Sequence, residues 1–176
     1  NDKALFFDLN TFNYNLRYNM SAINSWETSI GLSGMQQTSK NKGLEFLTPE
    51  YDLFDIGAFV FTQKTINKFT LAGGMRFDNR NINIHKLILD SLEAPVNYED
   101  STTNLKFKSS NQNYNSFSGS IGLSYQIDKK STLKFNLSRG FRAPNIAEIS
   151  SNGKHEGTLR YEYGNVKLKP EVSHQI

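Results

Sequence analysis

The sequence predicts an all-β protein, an antiparallel meander of about seven strands that forms a segment of a transmembrane outer-membrane β-barrel. Three observations carry that prediction. Apolar and polar residues alternate with period 2 along one stretch after another. The connections between these stretches alternate strictly between short and long, the habit of barrels whose periplasmic turns are short and extracellular loops long. No window approaches 18 consecutive apolar residues, which excludes a membrane-spanning helix. Barrel strands are not excluded, because they need only about 9–11 residues with every second side chain apolar.

The first strand is expected over 8–19, where Phe12, Tyr14, Leu16 and Tyr18 alternate with Thr11, Asn13, Asn15 and Arg17. A short turn at 20–24 leads to a second strand at 25–38, with Trp26, Thr28, Ile30 and Leu32 on one face and Glu27, Ser29, Gly31 and Ser33 on the other. Asn41, Gly43 and Pro49 mark 39–52 as a longer loop. The strand at 53–65 has a broken pattern, since Phe59 and Phe61 violate the parity of Ile56, Ala58 and Val60. Asn67-Lys68 turns the chain into 69–80, where Phe69, Leu71, Met75 and Phe77 oppose Arg76, Asp78 and Arg80, a face that must meet water or a polar interior. Residues 81–112 read as the longest irregular segment. Within it, 82–84 and 86–89 suit either strand extension or a short helix. The strand at 113–127 sets Phe117, Ile121, Leu123 and Tyr125 against Ser116, Ser118, Ser120 and Gly122. A turn at 128–131 precedes the strand ending at Arg142, and another strand begins at Val172.

On this reading loops 39–52, 81–112 and 143–170 are extracellular, and the turns near 20–24, 66–68 and 128–131 face the periplasm. Trp26, Phe69, Tyr125 and Tyr18 cluster near those turns, as an interfacial aromatic girdle requires. Aromatics also favour strands in general, so this observation alone does not choose between lipid and a dry core.

Composition removes several function classes. A chain of 176 residues with 37% hydrophobic residues and a mean hydropathy of -0.55 is long enough for one domain with a core. Its 20 Lys plus Arg and 17 Asp plus Glu are scattered without a basic run, which argues against a nucleic-acid binder. The absence of cysteine removes disulfides and thiolate metal sites. The segment Asn1-Asp2-Lys3-Ala4 holds no signal-peptide core. With no initial methionine and an end at Ile176 inside an apparent strand, the chain reads as a piece of a longer protein. No Ser/His/Asp arrangement, glycine-rich phosphate loop or buried carboxylate pair is recognisable, so an enzyme is not expected, and no cofactor is implied.

The stretch from Arg139 to Glu171 is the most informative. Ala143-Pro144 stops a strand, because proline lacks a donor and biases the preceding residue to extended conformations. Two blocks, Gly140-Phe141-Arg142-Ala143-Pro144 with Glu148, and Gly164-Asn165 followed by Leu168-Lys169-Pro170-Glu171 and Ser173, resemble the barrel of TonB-dependent outer-membrane receptors. The resemblance implies that residues 1–176 are part of a larger barrel of about 22 strands with a plugged lumen. It also implies a plug domain and remaining strands outside this chain, and import of a nutrient, most often a ferric siderophore or other metal chelate. The implied partners are TonB, acting through the plug, the small-molecule ligand and outer-membrane lipid.

Candidate ligand-binding residues lie on the long loops: Arg142, Lys154, His155, Arg160, Tyr161 and Tyr163. The basic ones attract an anionic ligand, although Glu148, Glu156 and Glu162 interleave with them and favour internal pairing, with Arg142 and Glu148 an expected ion pair. Tyr161 and Tyr163, with Phe46 and Tyr51, form a candidate aromatic surface. His155-Glu156 and His85 are competent metal ligands, but nothing supplies a third or fourth at recognisable spacing, and solvated loop histidines are expected. Two alternatives stay open. A soluble barrel or sandwich binding module would bury Phe117, Ile121 and Leu123 in a dry core. A non-transporting outer-membrane adhesin would keep the lipid face and lack a plug.

Overall fold

The computed structural model describes residues 4–154 and 160–176. Its elements in chain order are β1 (Phe7–Asn19), β2 (Trp26–Asn41), β3 (Tyr51–Ile66), β4 (Phe69–Ile84), β5 (Leu87–Leu89), β6 (Pro95–Val96), β7 (Asn104–Phe107), β8 (Ser110–Gln126), β9 (Thr132–Arg142), α1 (Ile146–Ser150), β10 (Asn152–Lys154), β11 (Tyr161–Tyr163) and β12 (Glu171–Gln175). Seven of them form one antiparallel sheet in the order β1-β2-β3-β4-β8-β9-β12, the expected meander. Because every neighbour is antiparallel, the short turns collect at one end and the long connections at the other. Asn67, at φ 53, makes the tight β3–β4 turn, and Asn24 and Ser25, at φ 49 and 64, make the β1–β2 turn.

The strands run further toward the long-loop end than alternation alone indicates, with β2 reaching Asn41, β4 reaching Ile84 and β8 beginning at Ser110. The cause is an inversion of the hydrophobic parity within single strands. Near the short turns the apolar residues of β4 are Phe69, Leu71, Met75 and Phe77, all exposed on one face. Beyond Asp78 they are Ile82 and Ile84, on the opposite face and fully buried. Together with Tyr51, Leu53 and Tyr114 they form the core, which Ala143 and Ile149 of the last long connection close from above. The face carrying this core is the inner face.

The other face is lined by exposed apolar side chains. Phe117, Ile121 and Leu123 are 48%, 54% and 41% exposed, where a soluble sandwich would have buried them. Outward Tyr14 lies across Gly34, and its hydroxyl donates to the Asp55 carbonyl at 2.6 Å. A Cβ at Gly34 would collide with both groups. Phe69 and Tyr125 stack at 4.6 Å beside the short turns, and Lys64 Nζ stands 5.7 Å from the Trp26 ring centroid. The parity break at Phe59 also has a cause, since its ring occupies the inner-face space left by Gly31.

Residues 86–89 do not form a helix: Leu87–Leu89 is the central strand of a small sheet ordered β6-β5-β7. Residues 82–84 extend β4.

Candidate functional site

The long connections 42–50, 85–109 and 143–170 pack on one another at the end of the sheet, and Asn152 joins all three. Its backbone N–H donates to the Leu47 carbonyl at 2.9 Å, its Nδ2 donates to the Lys106 carbonyl at 2.8 Å, and its Oδ1 accepts from the Tyr161 hydroxyl at 2.8 Å. Next to it Gly153 lies so close to Phe46 and Leu47 that a Cβ would press on their backbone at 3.1 and 3.2 Å. The β10–β11 hairpin is thereby laid against the first long loop. His85 ties the second connection to the first, its N–H donating to the Glu50 carbonyl at 2.9 Å and its ring lying 2.9 Å from Asp52.

Two cavities flank the loop 42–50, which acts as their shared wall. The first, of about 770 Å³, is lined by Phe46, Leu87 and Leu92 with Glu50, His85 and Lys86 around them. The second, of about 750 Å³, is lined by Leu47, Leu89 and Tyr161 with Lys106 and Lys154. In the second, Lys106 Nζ stands 6.0 Å from the Tyr161 ring centroid. Amines, the carboxylates Glu45, Asp90 and Glu93, an aromatic face and aliphatic walls converge there, a combination suited to a polar organic ligand.

Below the loops, on the inner face, Arg76 pairs with Asp78 and donates to Ser33 at 2.8 Å, while Arg80 holds Asp55 bidentately at 2.8 and 2.6 Å. Gly57 is the gap that lets the first pair lie flat, since a Cβ there would strike both Arg76 and Asp78.

The base of the last long connection is clamped by one arginine. Arg142 donates to both oxygens of Glu148 at 2.9 Å and to both oxygens of Glu171 at 3.0 Å. Glu148 also completes the N-terminal cap of α1: it accepts from the Asn145 N–H at 2.8 Å, and its own N–H donates to Asn145 Oδ1 at 2.9 Å. The Asn145 backbone N–H and then Arg142 hold the Glu148 carboxyl below the ordinary carboxylate range. Gly164 packs against the end of α1, where a Cβ would run into the Ile149 and Ser150 backbone.

This clamp joins the two sequence blocks that resemble one receptor family, and the family model described as TonB dependent receptor-like, beta-barrel, matches residues 1–176. The chain belongs to the TonB-dependent receptor β-barrel family. It is accordingly a Gram-negative outer-membrane protein, and its inner face is the lumen wall. Among solved structures the chain is similar to one titled "Copper transporter OprC", with a TM-score of 0.70 and 17% sequence identity, over 96% of this chain and 27% of that one. At that identity the likeness shows the fold. None of the curated proteins compared with the sequence matches it.

In this TonB-dependent receptor barrel the predicted site residues separate. Tyr161, Lys154 and Phe46 come together around the second cavity. Tyr163 is 78% exposed, and its ring lies tilted against that of Tyr161 with centroids 4.7 Å apart. Arg160 is exposed beside β11. Arg142 serves the clamp, with both ends of its guanidinium engaged by carboxylates. Tyr51 does not join the aromatic surface. It starts β3 inside the core and donates to Gln37 at 2.7 Å, because its parity points inward. His155 and Glu156 lie outside the described residues, and among the described residues no group of three or more His, Cys, Asp or Glu is placed to hold a metal ion. Sequence reasoning missed Asn152 and Lys106. It also missed α1, although Asn145-x-x-Glu148 is a capping-box signature.

Proposed function

We propose that this chain supplies part of the barrel wall and the extracellular ligand-capturing loops of a receptor that imports a scarce nutrient. The proposed cargo is a ferric siderophore or another metal chelate, driven by TonB acting on a plug domain beyond this chain. The observation that carries the reading is the loop assembly held at Asn152. Lys106, Lys154 and Tyr161 stand around one cavity above the lumen wall, where an organic chelate finds amines, an aromatic face and apolar walls, with Glu45, Asp90 and Glu93 among the lining to meet its polar groups. Arg76 and Arg80, ion-paired on the lumen wall beneath, line a further space of about 530 Å³ along which such a ligand would descend.

Capture by these loops concentrates the ligand, and a rigid scaffold below keeps the loops in register. The test is binding and uptake by the full-length receptor in outer-membrane vesicles, with a panel of ferric siderophores and other metal chelates, with and without functional TonB. TonB-dependent accumulation of one compound, reduced in a Lys106→Ala, Lys154→Ala receptor, is the expected result. Binding without TonB-dependent uptake would favour the adhesin reading.

A further inference from the structure

On the outer face, the change from apolar to polar residues falls within one step of the β4–β8 register. Phe69↔Tyr125, Leu71↔Leu123, Gly73↔Ile121, Met75↔Gly119 and Phe77↔Phe117 are followed by Asn79↔Asn115, Asn81↔Asn113 and Asn83↔Asn111. The apolar run spans eight residue steps, about 27 Å along the strand and about 21 Å in height at a tilt of about 40°. That is close to the apolar band of an outer-membrane barrel, about 25 Å tall. The asparagines therefore begin where acyl chains end and occupy the next roughly 10 Å, the depth of the headgroups.

These six side chains lie side by side, five of them in two hydrogen-bonded clusters. Asn79 Nδ2 donates to Asn113 and Asn115 at 3.1 and 2.8 Å, Asn81 and Asn111 exchange bonds at 3.0 and 3.2 Å, and Asn115 donates to Asn113 at 3.1 Å. Asn83 presents its amide outward with no side-chain partner among the described residues. The six side chains carry no charge, and their charged neighbour Asp52, opposite Asn83, is engaged by Thr38 and His85; each amide offers both donors and acceptors, which suits hydroxyl groups better than phosphate. On one side the apolar surface climbs past it, since Ile56 is opposite Asn79 and Phe54 is opposite Asn81, and both are exposed. The amide surface is thus bounded below and on one flank by lipid-facing residues, a shape that fits an amphiphile rather than a free sugar.

We propose that Asn79, Asn81, Asn83, Asn111, Asn113 and Asn115 form a binding surface for the polyhydroxylated headgroup of an outer-leaflet glycolipid. The acyl chains of that glycolipid lie along Phe77, Phe117 and Ile56. The amide bonds hold five of the six side chains, all but Asn83, in fixed rotamers, so that sugar hydroxyls meet a largely preformed array of donors and acceptors.

The experiment uses the full-length receptor in detergent micelles and native mass spectrometry. The probes are purified rough-type lipopolysaccharide and, separately, phosphatidylethanolamine. The wild type is expected to bind the glycolipid at least about tenfold more tightly than phosphatidylethanolamine, and an Asn81→Ala, Asn111→Ala, Asn113→Ala receptor is expected to lose that preference. Soluble core oligosaccharide should displace the glycolipid from the wild type, a measurement that decides the matter even when the variant fails to fold. Equal affinity for both lipids, an unchanged preference in the folded variant, or failure of the oligosaccharide to compete would overturn the proposal. So would a protein dimer formed in place of lipid binding.

Discussion

Replacing Asn152 with alanine tests whether the long loops act as one body. The substitution removes the bonds to the Lys106 carbonyl and the Tyr161 hydroxyl and leaves the backbone bond to Leu47 in place. Each lost bond costs about 0.5–1.5 kcal/mol, so the assembled state should weaken by about 1–3 kcal/mol. That corresponds to roughly a 5- to 150-fold rise in the open population. Tyr161→Phe removes one of the two bonds and should cost about half as much. The assay is amide hydrogen exchange on the full-length receptor. In Asn152→Ala, exchange should accelerate in 85–109 and 143–154, with β2, β3, β4 and β8 unchanged, and affinity for the imported ligand should fall by a similar factor. Unchanged loop exchange, or acceleration spread evenly through the strands, would refute the idea that Asn152 holds the loops together.

Other outcomes follow from the same structure. Ile82→Ala, at a fully buried position between sheet and loops, should cost about 2–5 kcal/mol in denaturant unfolding. Gly164→Ala should displace the last connection from α1, because the clash is with backbone and cannot be relieved by a rotamer change; tyrosine accessibility at Tyr161 and Tyr163 reports it. The Glu148 carboxyl titrates below its unfolded value, so its contribution is present above about pH 4.3 and is lost as pH falls through the folded pKa. Protease resistance of 143–170 should therefore decline in that acid window, and Glu148→Gln should weaken the resistance at neutral pH while removing that part of the pH dependence. Arg142→Ala and Glu171→Ala should prove non-additive in a double-mutant cycle read by the same protease assay.

The strands were legible because lipid and lumen impose opposite chemistry on alternate residues. Legibility stopped where both sides became aqueous or packed. At Asn79 the outer face turns polar and at Ile82 the inner face turns apolar, so a reader following one parity ends β4 near Arg80, though its ladder continues to Ile84. The three-residue strands β5, β10 and β11 are too short to carry a period, and β10 is set in place by contacts distant in sequence, with Leu47 and Lys106. Tyr161 and Lys154 were found because aromatic and basic loop residues are conspicuous. Asn152, in the run Ser-Ser-Asn-Gly, looks like an ordinary turn, and only the fold brings Leu47, Lys106 and Tyr161 to it.

The clamp at Arg142 has an evolutionary consequence. Arg142 and Glu171 are register partners, so the last long connection leaves and re-enters the sheet at adjacent points already fastened together. Closing a loop twice as long between fixed ends costs only about 0.6 kcal/mol. Outside the segment that packs on the core through Ala143 and Ile149, the connection between them can therefore be lengthened, shortened or replaced while β9 and β12 keep their pairing. It is an exchangeable cassette in which recognition can diversify without the barrel having to be rebuilt.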